Sequence, residues 1–153
     1  MLRDLIARVL ATHAHPLPLV IRVGAGAVFF AFSFGKFRRH DAEANAFDRY
    51  GIPFPDVTTY LVGTLEFVGG LLLIAGLLTR PAAVVLLGNM AGALATAGRI
   101  EPSFTHTALP AILIVAMLVL VWTGGGARSI DRALCGRIGR ALTSNAQSII
   151  SRP

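Results

Sequence analysis

The chain has 153 residues, of which 54% are hydrophobic and only 14% charged, whereas an ordinary soluble domain carries roughly a quarter charged residues. That shortfall excludes a conventional water-soluble fold and points to lipid as the solvent. The formal net charge of +6 does not imply a nucleic-acid partner, because in so apolar a chain basic residues set topology or grip anionic lipid.

Residues 1–15 place Leu2, Leu5, Ile6, Val9 and Leu10 on one helical face, with Arg3, Asp4 and Arg8 largely off it. This spacing predicts an amphipathic helix on the membrane surface. Four long apolar runs follow, and a spanning helix needs about 20 mostly apolar residues. They predict spans at about 17–37, 60–78, 82–98 and 107–123. The first run is too long for a secretory signal, and its end, "SFGKFRRHD", has no small-residue cleavage motif.

Between spans one and two lies the longest polar segment, "RRHDAEANAFDRYGIPFPDVT". Its Phe47, Tyr50, Ile52 and Phe54 suit the headgroup zone, and Gly51 to Asp56 forms an extended turn because each proline steers its predecessor away from helix. Thr79 to Ala82 is a tight turn, and Gly98 to His106 joins spans three and four. Three glycines break the chain after Thr123. Ser129 is an N-cap for a second surface helix over 129–150, with Asp131 near its positive end and Ile130, Leu134, Ile138 and Leu142 along it. The expected fold is all-α: an integral membrane four-helix bundle over 17–126, with short amphipathic surface helices at both termini.

An even number of spans puts both termini on one side. That side collects Arg3, Arg8, Arg80, Arg128, Arg132, Arg137, Arg140 and Arg152, whereas Lys36, Arg38, Arg39, Arg49 and Arg99 on the other are diluted with acids. The positive-inside rule places both termini in the cytoplasm.

A charge at the bilayer centre costs roughly 2.5–3.5 kcal/mol on insertion scales, so polar groups at membrane depth turn inward and find partners. Span one runs outward and span two inward, which brings Lys36 and Glu66 into the same half; they are expected to pair, directly or through a water. Arg22 lies at the opposite end, placed to snorkel toward headgroups or the end of span two. Asn89 falls near the middle of span three, and His106 is an interfacial side chain opening span four. This set reads as a structural polar network, as a pocket for a ligand such as a quinone headgroup contacted by Glu66, Lys36 and Arg22, or as an ion path. The single cysteine, Cys135, excludes an intramolecular disulfide and a CxxC redox pair. No residues show metal-site spacing, and none form a catalytic triad. Gly63, Gly69, Gly70 and Gly76 in span two, and Gly88-x-x-x-Gly92 in span three, are expected helix-packing surfaces within the bundle or toward a neighbouring subunit.

Arg22, Gly35-Lys36, Gly51-Ile-Pro53-Phe-Pro55, Glu66-x-x-Gly69-Gly70, Gly76-Leu-x-Thr79-Arg80 and Ser129-Ile130-Asp131, in this order and spacing, resemble the DoxX family of small bacterial membrane proteins. The resemblance runs from about Leu17 to Asp131. It implies a four-helix protein of the bacterial cytoplasmic (inner) membrane, associated with redox-linked complexes. One branch of that family names a subunit of thiosulfate:quinone oxidoreductase; another is described as a membrane anchor for superoxide dismutase and a sulfur transferase. The implied partners are the bilayer and other membrane-complex subunits or peripheral redox enzymes, and the glycine faces leave a homo-oligomer open. The implied role is a membrane subunit or anchor, with a quinone-interacting subunit as the alternative; a transporter is a third reading, and the chain lacks the inverted repeat that would support it.

Overall fold

The computed structural model describes residues 16–126, 129–134 and 136. The surface helix expected over 1–15 lies outside the described residues, as does most of the one expected over 129–150. Six α-helices are described: α1 (Leu17–Arg38), α2 (His40–Arg49), α3 (Pro55–Ala75), α4 (Thr79–Ala95), the single turn α5 (Ala97–Ile100) and α6 (Leu109–Thr123), the last preceded by a π-helical turn, Phe104–Ala108. The described residues contain no strand. Four helical stretches of 20 to 22 residues are long and apolar enough to cross a membrane: Leu17–Arg38, Pro55–Ala75, Thr79–Ile100 and Phe104–Thr123.

Local chemistry explains where these helices begin. Prolines occupy the first turns of α1, α3 and α6, where a missing N–H costs no hydrogen bond. Span two starts at Pro55, five residues before the expected Tyr60, because Phe54 takes a left-handed conformation (φ +52°) and Pro55 then sets the helical φ. The polar segment before it is no mere surface connection, since ten of its residues form α2. Span three also starts early, at Thr79. The reversal is made by Gly76 to Leu78, and Gly76 closes α3 at φ +68°.

The bundle is built from two tightly packed pairs, α1 with α3 and α4 with α6. At the centre of the first pair a Cβ on Gly26 would stand 2.8 Å from the Gly70 carbonyl oxygen, and one on Gly70 would stand 2.9 Å from that of Gly26. Lipid tails supply no hydrophobic drive for helix association, so this close backbone approach supplies van der Waals contact instead. The two pairs meet over a core of Ala25, Phe29, Leu73, Leu86, Met117 and Leu120. Val20, Leu61, Val84 and Val115 point outward, as lipid-facing residues do. The helices α1 and α4 stand diagonally opposite and scarcely touch, and a space lined by both opens at the end bearing α2.

Candidate functional site

Glu66 lies midway along α3 with 3% of its surface exposed, and its two oxygens are held from two other helices. Lys36 Nζ, in the last turn of α1, donates to Oε2 at 2.7 Å. Asn89 Nδ2, from α4, donates to Oε1 at 2.9 Å. The pair expected between Lys36 and Glu66 therefore forms, and directly. Asn89 was noted in the sequence only as a polar residue at membrane depth. A neutral amide makes no electrostatic demand that names its partner in advance, but here it ties the second helix pair to the first.

These three side chains line a cavity of about 910 Å³. Val28, Phe29 and Phe32 of α1 contribute apolar surface, α2 contributes one whole face, and Gly88, Gly92, Ala93 and Thr96 line the α4 side. Of the two roles expected for the glycines of α4, the one inside the bundle is not met. A Cβ on Gly88 or Gly92 would meet nothing within 4 Å, so neither is a packing contact within the bundle; both leave room in the cavity. Gly63, Gly69 and Gly70 do sit at contacts, against Phe37, Leu86 and Gly26 respectively.

The rim is polar. The Tyr50 hydroxyl donates to Glu101 Oε2 at 2.9 Å, and Arg49 Nη2 lies 3.6 Å from Glu101 Oε1. His106 Nδ1 is 3.1 Å from the Glu101 carbonyl oxygen, and its ring meets that of Tyr50 edge on. Burial, followed by the hydrogen bond to Glu101, raises the Tyr50 phenol above the ordinary tyrosine value. Both effects favour the neutral hydroxyl as donor.

Arg22 does not join this group. It is buried at the other end of the bundle, where Nη1 donates to the carbonyls of Leu73 and Ile74, 3.3 Å from each. Of the two placements expected from sequence, the structure takes the end of span two. The guanidinium fills the space a side chain at position 76 would need, so Gly76 is required for packing as well as for its positive φ. Beside it, Asp131 is 1% exposed and accepts from the backbone N–H groups of Leu78 (2.7 Å) and Thr79 (3.0 Å), while its own N–H donates to Gly76 O. Ser129 does cap residues 130–134, accepting from Arg132 N at 3.2 Å. Asp131, however, gives both side-chain oxygens to the start of α4. Among the described residues no group of three or more His, Cys, Asp or Glu is placed to hold a metal ion.

The chain is similar to "Uncharacterized membrane protein Rv3486" of Mycobacterium tuberculosis, with 33% identity covering 85% of this chain and 88% of that protein. It is 26% identical to "Putative oxidoreductase CatD" of Bacillus subtilis over 74% of this chain and 83% of the relative. It is also 26% identical to "Inner membrane protein YphA" of Escherichia coli, over 76% and 89% respectively. No solved structure matches it. The DoxX family model matches residues 17–99, a stretch that contains Arg22, Lys36, Glu66 and Asn89, and the chain belongs to the DoxX family.

Proposed function

We propose that the protein is the membrane subunit of a redox-linked assembly and that its cavity seats a quinone headgroup. The observation that carries this reading is the cavity itself: about 910 Å³, walled mainly by apolar residues, with Lys36, Glu66 and Asn89 on its lining. Sites for small molecules are mostly apolar clefts of roughly 300–1,000 Å³ with a few placed polar groups. The lining carries Lys36, Arg39 and Arg49 against Glu43, Glu66 and Glu101, so three positive charges balance three negative ones and an uncharged ligand suits it. An ammonium has three N–H donors and an amide two. Lys36 and Asn89 each direct one to Glu66, which leaves donors for carbonyl oxygens. In this reading electrons come from a partner redox protein, and this chain supplies the seat in the bilayer. The likeness to a relative named as an oxidoreductase supports the redox link.

The test is photolabelling with an azidoquinone in lipid nanodiscs. Label is expected on α1 and α4 residues of the cavity, displaced by excess unlabelled quinone and weakened by Glu66→Gln. Label confined to outward residues such as Val84 and Val115 would sink the proposal. We further place the Arg22–Asp131 end in the cytoplasm of a bacterial inner membrane, on the arginine count; an external signal from reporter fusions at either terminus would reverse it.

A further inference from the structure

The helix α2 covers the cavity with one face and is attached to the bundle unevenly. Ala42, Glu43, Ala46, Phe47 and Tyr50 follow helical spacing and all line the cavity. The helix leans mainly on α3, and less on α1. At its start the His40 ring stacks on Tyr60 with centroids 3.9 Å apart, and Nε2 lies 3.5 Å from Asp56 Oδ1. Its hold on the other helix pair is of a different kind. There the contacts are the Tyr50 hydrogen bond to Glu101, the longer Arg49–Glu101 pair and the edge of the His106 ring. Arg49 is 60% exposed and Glu101 43%, and an exposed ion pair of this length holds weakly.

Both ends of α2 are breaks in the helical path. Arg39, at φ −124° and ψ 43°, separates it from α1. Gly51, at φ +71°, follows its other end and leads into the non-helical residues before Pro55. A ten-residue helix is about 15 Å long, so a pivot of about 20° swings its far end by about 5 Å.

We infer that α2 is a gate over the cavity, pivoting on Arg39 and Gly51 while it keeps its seat on α3, and held toward the other helix pair by Tyr50 on Glu101. Opening it parts α2 from the Glu101–His106 segment and admits a molecule from the headgroup level of that face. The inference concerns access and holds whatever the cavity receives.

The test therefore uses no quinone. In full-length protein carrying Cys135→Ser, Gly88→Cys places a thiol on the cavity wall, where the structure has open space. Its rate of modification by a small charged methanethiosulfonate in nanodiscs reports opening. Tyr50→Phe and Glu101→Gln are each expected to raise that rate about tenfold, the scale set by one lost hydrogen bond to a charged group. A thiol introduced by Ala83→Cys, at a core position with no exposure, is expected to stay protected in the same variants. Equal rates at position 88 in parent and variants overturn the gate. So does a parallel rise at position 83, which marks general loosening. Failure of quinone photolabelling leaves this result standing, and a fixed α2 leaves the quinone seat standing.

Discussion

The Asp131 carboxylate binds the first backbone N–H groups of α4 at Leu78 and Thr79, 52 or more residues earlier in the chain. Leu78 is left-handed at φ +50°, a conformation that costs an ordinary residue roughly 1–2 kcal/mol. The carboxylate offsets that strain, satisfies two donors without intrahelical partners and lies within electrostatic reach of buried Arg22. Asp131→Ala is expected to destabilise the bundle by about 2–4 kcal/mol, combining a lost cap with a buried cation deprived of its counter-charge. Asp131→Asn should cost less, since it keeps one oxygen acceptor. Thermal unfolding in mild detergent, followed by circular dichroism, measures both; an unchanged midpoint for the alanine variant rejects the cap.

Glu66 and Lys36 should show strong energetic coupling. Removing either alone leaves its partner charged at membrane depth, at a cost of about 3–5 kcal/mol. Replacing both, as Glu66→Gln with Lys36→Met, removes the unpaired charge, so the double variant should be more stable than the sum of the singles predicts. Additive losses in that cycle would show that the pair is not a unit.

Gly88 and Gly92 provide a way to narrow the cavity without disturbing the packing. Alanine fits at both, because nothing lies within 4 Å, and it raises helix propensity by up to about 1 kcal/mol. Gly88→Ala and Gly92→Ala should leave the melting temperature level or higher. Gly92→Leu should fill the space and abolish displaceable azidoquinone labelling. Retained labelling with leucine there would place the ligand elsewhere. A change in oligomeric state on Gly92→Leu, with labelling intact, would instead show that this face packs against a second copy.

The Tyr50 phenol titrates above the ordinary tyrosine value of 10.0. Its folded value exceeds its unfolded one, so the stability it contributes is complete below about pH 10 and is lost as pH rises through the folded value. The chain has two tyrosines, and in Tyr60→Phe phenolate absorbance reports Tyr50 alone. It should appear at higher pH in the folded protein than after unfolding, and Glu101→Gln should reduce the gap. Coincident titrations would contradict the hydrogen bond.

The sequence makes some of this molecule plain and hides the rest for physical reasons. Apolar runs disclose the spans because lipid demands them, and Glu66 discloses Lys36 because a carboxylate there must be paired. The helix α2 is hidden because "HDAEANAFDR" is short and polar, and of its sparse apolar residues Ala42, Ala46 and Phe47 face a cavity instead of a core. Gly88-x-x-x-Gly92 is ambiguous because the same spacing serves a close helix contact and an open wall. Asp131 gives no warning, since a cap supplied from 52 residues away leaves no local pattern.

The pairing of α1 with α3 and of α4 with α6 bears on how the chain is made. Each pair joins consecutive spans, so each is a helical hairpin with its own contacts. The lock between start and finish comes last. Until residue 131 has been synthesised, the first N–H groups of α4 lack the carboxylate that caps them, and the turn at Leu78 stays strained. A chain ending before Asp131 would carry all four spans yet leave the start of the third without its carboxylate.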